Sequence, residues 1–151
     1  MSYAYFNVIW IIPFVASVIA LPLGVKQKRS ASLVSAIFLA VPALLSTYLV
    51  YVVSATGFKP FTTSLAWFGF GSTSVTVGIL GDGLSAVMAL VVSWISFLIS
   101  VYSYEYMERD PGTHRYWFFF DFFVGSMLLL VLSNNLVLLL VGWEGTTLSS
   151  Y

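Results

Sequence analysis

The sequence predicts an all-α membrane protein of about five transmembrane helices, with a short outer β-hairpin between the second and third. Three observations predict it. Only 8% of the 151 residues are charged, against about 25% in soluble domains. Hydrophobic residues make up 60% and mean hydropathy is +0.97, so six basic and six acidic side chains cannot build a soluble surface. Five apolar stretches approach the ~20 residues that cross a bilayer. They run near Tyr5–Leu23, Ala31–Ser54, Gly78–Tyr104, Tyr116–Leu132 and Asn135–Tyr151.

The first stretch follows no basic n-region and has no clear small-residue cleavage site, so it reads as a span and not a signal peptide. Pro13 in it and Pro42 in the second stretch predict kinks that a helix bundle tolerates. Between these two lie Lys26, Lys28 and Arg29. The connection after the second stretch is the longest. In it Leu65, Trp67, Val75, Val77 and Ile79 alternate with small or polar residues around a turn at Gly69 to Ser72, the pattern of a hairpin. The third stretch is long enough to tilt or to project beyond the hydrocarbon. Arg109 and Arg115 separate it from the fourth. If both basic connections are cytoplasmic, five basic residues lie inside and only Lys59 outside, which places the N-terminus outside. Tyr102, Tyr104, Tyr106, Tyr116 and Trp117 gather at that inner interface as an aromatic belt. Residues 1–59 form the first two helices and the basic loop. Residues 60–151 hold the hairpin and spans three to five.

Net charge is zero, so no nucleic-acid partner is implied, and the lipid bilayer is the first partner. The chain has no cysteine and one histidine. That excludes cysteine-ligated iron–sulfur clusters, disulfides and bis-histidine haem within it. No phosphate loop, nucleophile triad or dinucleotide fingerprint is present. Any redox chemistry belongs to other subunits.

Glu144 is the most informative residue. It stands in Leu138-Leu139-Leu140-Val141-Gly142-Trp143-Glu144-Gly145, with no other charge from Asn134 onward. Nine residues after Asn135, it lies roughly 14 Å into a core of about 30 Å. Burial there disfavours the charged form, so the carboxyl is either neutral or paired with a cation. Both states suit a proton-relay group, and intramembrane acids mark ion pathways. The structural alternative is a protonated packing carboxyl satisfied by a neighbouring helix. Thr147 is placed to hydrogen-bond on the same face.

Asp121 is a second buried acid, six residues into the fourth stretch and about 9 Å from its inner end. Antiparallel helices bring it within about two turns of Glu144 in depth. It reads either as a stepping stone for protons or as a residue that snorkels to the interface or bonds a hydroxyl such as that of Tyr116. Asp82, in Gly81-Asp82-Gly83-Leu84-Ser85, reads as the N-cap of the third helix, with an outer proton exit as the alternative. Ser85, Ala89, Ser93, Ser96, Ser100 and Ser103 share one helical stripe that lets helices approach closely, or lines a hydrated groove. His114 reads as a solvated loop residue. Glu105, Glu108, Arg109 and Asp110 read as a solvated loop or subunit contact.

Several fragments occur in order: Gly81-Asp82-Gly83-Leu84-Ser85-Ala86-Val87-Met88, Tyr102-Ser103 with Tyr106-Met107, Arg115-Tyr116-Trp117-Phe118, Ser126-Met127, Asn134-Asn135-Leu136 and Val141-Gly142-Trp143-Glu144-Gly145. This set resembles the N-terminal part of chain 5, the largest antiporter-like subunit of respiratory complex I (NADH:quinone oxidoreductase). It covers residues 60–151 well and residues 1–59 by pattern only. The resemblance implies redox-driven proton translocation in a prokaryotic cell membrane or the mitochondrial inner membrane. It implies that Glu144 matches a glutamate on helix five that pairs with a lysine on helix seven. That lysine lies outside these 151 residues, so the chain reads as an N-terminal fragment or one piece of a split subunit. Its expected partners are the remainder of its own subunit and other membrane-arm subunits. NADH, flavin, iron–sulfur clusters and quinone are expected in those partners, with no cofactor or metal here. Asp121 stands where the family would have an uncharged polar residue, so no role is inherited for it. Thr146-Thr147 departs from the usual Val-Gly-type pair. A cation/proton antiporter or membrane-bound hydrogenase antiporter subunit is the nearest alternative, and a non-catalytic membrane assembly protein is a third.

Overall fold

The computed structural model describes residues 3–71 and 73–150, with the backbone alone at Phe70, Thr73 and Arg109. Ser72 of the expected hairpin turn and Tyr151 of the expected fifth span lie outside the described residues. The chain forms five helices: α1 (Val8–Lys26), α2 (Lys28–Ala55), α3 (Gly83–Tyr106), α4 (Thr113–Leu132) and α5 (Leu136–Ser150). Two single-turn 3-10 segments, Ala4–Asn7 and Met107–Arg109, precede α1 and follow α3. Four helices are long and apolar enough to span a membrane, and α5 is a shorter apolar helix. The protein is a multi-pass membrane protein.

Span lengths differ from the sequence expectation. α2, with 28 residues, is the longest helix, and α3 has 24. Gly78 to Gly81 leave the third helix and enter the base of the hairpin: Ile79 bridges Ser133, and Leu80-Gly81 (β4) pairs with Phe61-Thr62 (β1). An apolar run alone does not separate a buried strand from a helix start. The stop signal is Asp82, whose carboxylate accepts a hydrogen bond from the Ser85 amide at 2.7 Å. It is the N-cap, satisfying one of the amides that every helix start leaves unpaired. Asp82→Ala is expected to cost about 1 kcal/mol of stability, with Asp82→Asn retaining most of it. Thermal melts of the two variants side by side in one detergent check this.

The hairpin predicted from alternation is present. Strands β2 (Leu65–Phe70) and β3 (Thr73–Val77) pair antiparallel from Leu65↔Val77 to Phe70↔Thr73. Gly71 enters the turn at φ +62°, a conformation in which only glycine is unstrained. Two asparagines fasten the hairpin to the bundle. Asn134 Nδ2 donates to Thr63 O at 2.9 Å, and Asn135 Nδ2 donates to Thr76 O at 2.7 Å. Asn135 Oδ1 also accepts from the Leu138 amide at 2.9 Å, capping α5.

α4 is the central helix and packs on α1, α2, α3 and α5. α1 runs unbroken through Pro13 and Pro22, and α2 through Pro42. The larger apolar core lies toward the hairpin and includes Phe6, Ile9, Leu49, Ile79, Leu128 and Leu132. α3 is polar inside and apolar outside. It buries Ser85, Ala89, Ser93, Ser96, Ser100 and Ser103 and exposes Val87, Val91, Ile95, Leu98 and Tyr102. This is helix association by close packing in an apolar solvent. The Ser46 and Ser93 hydroxyls are 2.6 Å apart across the α2–α3 contact. Ser93→Ala is expected to weaken that contact by only about 0.6 kcal/mol, a small downward shift in the melting temperature of the detergent-solubilised protein.

Both basic connections lie at one end of the bundle, away from the hairpin. Arg29 Nε meets Glu108 Oε1 at 2.8 Å, and Lys28 Nζ donates to Asp110 O at 2.7 Å. The mixed-charge segment is thus a clasp between the two connections. His114 is not a solvated loop residue. It lies in the first turn of α4, half-buried, against Gly24, where an added Cβ would come within 2.7 Å of it. Of the residues expected to form an aromatic belt, the stacked pair Tyr102 and Tyr106 is exposed, at 71% and 70%. Trp117 is not: it is 0% exposed, inside the bundle.

Candidate proton-transfer site

The two acids on the apolar helices α4 and α5 occupy opposite environments. Asp121 is 0% exposed, on the face of α4 that packs against α1 and α2. Ser35 of α2 donates its hydroxyl to Asp121 Oδ1 at 2.5 Å. Asp121 Oδ2 has no hydrogen-bond partner among the described residues. Complete burial overturns the snorkelling reading. The hydroxyl partner is Ser35 and not Tyr116, because the Tyr116 hydroxyl lies 2.8 Å from that of Ser103. Nothing in the sequence marks Ser35 as this partner. A serine in a helix ordinarily bonds its own backbone, so no local pattern separates it from Ser32, which donates to Lys28 O.

Glu144 is exposed on α5. The cause is the pair of glycines around it. α5 meets α4 through Leu138 and Gly142, both buried, and through Gly145. A Cβ on Gly142 would lie 2.7 Å from the Leu130 amide nitrogen, and one on Gly145 would strike Ser126 Oγ. At 100° per residue, Glu144 is turned about 200° from Gly142, so it points away from the bundle. Its neighbours on that outward side are Val137, Leu140, Val141 and Leu148, all exposed. No described residue hydrogen-bonds to Glu144 or forms an ion pair with it. Thr147, expected on the same face, donates to the backbone oxygen of Trp143 at 3.1 Å.

The structure does not bring the two carboxyls into contact. Gly145 lies beside Ser126, five residues along α4 from Asp121, or roughly 7.5 Å at the helical rise. The depth expectation of about two turns therefore agrees with the packing. The directions do not converge: Asp121 faces α2, whereas Glu144 faces outward from α5. Asp82 sits at the hairpin end as a cap, away from both. Among the described residues no group of three His, Asp or Glu side chains is arranged to hold a metal ion.

Comparison with known proteins places this arrangement. Residues 67–117 match the family described as NADH-ubiquinone oxidoreductase (complex I), chain 5 N-terminus. The NADH-ubiquinone oxidoreductase chain 5 of Dictyostelium citrinum is 34% identical over 146 residues, covering 93% of this chain and 21% of that protein. NADH-quinone oxidoreductase subunit L of Rickettsia bellii is 34% identical over 125 residues, covering 83% of this chain and 20% of that protein. In structure the chain is similar to the Mrp complex from Dietzia sp. DQ12-45-1b, with a TM-score of 0.78 and 27% identity, over 97% of this chain and 15% of that one. The resemblance read from the ordered motifs is therefore shown across most of the chain. The chain spans about a fifth of the length of these curated relatives.

Proposed function

We propose that this chain forms a five-helix part of an antiporter-like, proton-translocating membrane-arm subunit of an NADH:quinone oxidoreductase, with Glu144 as its proton-carrying carboxylate. The similar proteins are named as subunits of that enzyme. One observation carries the reading for this chain: Glu144 is an acid on the outward apolar face of the short apolar helix α5, held there by a glycine seam. A charge so placed is costly unless further protein covers and pairs it. The remainder of a longer subunit, with a basic residue on a neighbouring helix, would do both. Redox chemistry, with NADH, flavin, iron–sulfur clusters and quinone, belongs to partner subunits. This chain contributes proton transfer alone. Asp121 is a candidate accessory relay.

The gathering of both basic connections at one end supports an orientation with that end in the cytoplasm or matrix and the N-terminus outside. A second reading, a subunit of a cation/proton antiporter, is favoured by the similarity to the Mrp complex structure. The test is proton uptake into inside-out vesicles carrying the whole complex. Uptake driven by NADH oxidation, lost in Glu144→Gln, supports the first reading. Cation-driven proton exchange without NADH, lost in the same variant, supports the second. Full activity of an assembled Glu144→Gln complex leaves only a scaffold role.

A further inference from the structure

One turn of α4 lies against one turn of α2 near the basic end of the bundle. Trp117 packs with Ala31 of α2 and Ala20 of α1, and Asp121, four residues on, meets Ser35, four residues beyond Ala31. Residues four apart share a helix face, so Trp117 and Asp121 look the same way, toward α2. Both are fully buried. Each ends in a buried polar atom without a hydrogen-bond partner among the described residues: the indole Nε1–H of Trp117 and Oδ2 of Asp121. Buried polar groups are satisfied as a rule, by protein or by internal water. On α1 and α2 the small residues Ala20, Ala31 and Ser35 face them, while Leu23, Tyr116 and Phe120 also pack around Trp117.

We propose that Trp117 Nε1 and Asp121 Oδ2 hold one buried water between them. The chemistry selects water over a metal cation. An indole nitrogen offers only a donor, and its N–H dipole repels a cation at that position. Water accepts from the indole and donates to the carboxyl oxygen. It serves either protonation state, because it accepts instead when the carboxyl carries the proton on Oδ2. The pair Ser35 and water thus completes the hydrogen bonding of Asp121, with one partner on each oxygen. The water lengthens the polar reach of Asp121 by one hydrogen bond toward the first turn of α4. The site stands whether or not Asp121 moves protons.

Cryo-electron microscopy of the assembled complex in lipid nanodiscs, at a resolution that shows ordered water, tests this without any substitution. The expected result is a single density peak within hydrogen-bonding distance of both atoms. A direct bond from the indole to the carboxyl, a dry contact, or a peak with the short multiple oxygen contacts of a metal ion overturns it. Ultraviolet resonance Raman spectra report on the same indole. The signal of Trp117, isolated by subtracting Trp117→Phe, is expected to show a hydrogen-bonded N–H that shifts to the free position in Asp121→Leu. A free N–H in the unsubstituted protein, or an N–H unmoved by Asp121→Leu, overturns the assignment.

Discussion

Replacing Glu144 with glutamine is expected to stop proton translocation while leaving the complex assembled. Glutamine keeps the size and one hydrogen-bonding oxygen of the side chain but has no proton to load or release. Its site on α5 is exposed and outside the α4–α5 seam, which runs through Leu138, Gly142 and Gly145. Within this chain the substitution therefore leaves the packing intact, and glutamine keeps a polar group for whatever covers the site. A positioned proton-transfer group contributes on the order of 100-fold or more to a rate, and a loss of that size is expected in vesicle acidification. Glu144→Asp keeps the acid but withdraws it by one methylene, so an intermediate rate is expected. Native gels of each variant separate pumping from assembly. Full pumping by an assembled glutamine variant would remove Glu144 from the pathway.

Gly142→Val is expected to give the largest structural effect, by detaching α5 from α4. The Cβ of any residue there falls 2.7 Å from the Leu130 amide nitrogen and 2.9 Å from its Cα. Those are backbone atoms of the central helix, so they cannot rotate away. Alanine gains about 1 kcal/mol of helix propensity over glycine, but overpacking costs about 1–3 kcal/mol. Valine adds two further methyl groups to the same clash. Gly145→Ala is the milder control, since its added carbon meets the Ser126 side chain. Leu138 reports the outcome. It is 4% exposed in the docked seam, and these 151 residues contain no cysteine, so Leu138→Cys places a single thiol in this region. Maleimide labelling of that thiol is expected to be slow in the otherwise native protein and fast with Gly142→Val. Equal labelling rates would show that α5 is not held through this glycine.

The motifs acquire physical reasons in three dimensions. Asn134-Asn135 ties the hairpin to the start of α5 through Thr63 and Thr76. Gly142 and Gly145 bring α5 onto α4 and turn Glu144 outward. Asp82 caps α3 and ends the hairpin. Each was visible as a residue type in sequence, and Asp82 was legible in full because a cap is a local interaction. The partners of the asparagines lie some sixty to seventy residues away in the chain, beyond the reach of any local pattern.

The sequence by itself determined the solvent, the helices, the hairpin and the position of Glu144 as a lone acid in an apolar run. Those follow from composition, run length, alternation and turn chemistry, all properties of short windows. Only the tertiary structure decided which way each side chain faces. It turned Glu144 outward, closed Asp121 onto Ser35, buried Trp117 out of the aromatic belt and set His114 against Gly24. The reason is the solvent. In water, periodic polarity tells the inside of a helix from the outside. In lipid, the outward face is as apolar as the core, so helix rotation is set by small residues, hydroxyl pairs and backbone contacts on neighbouring helices.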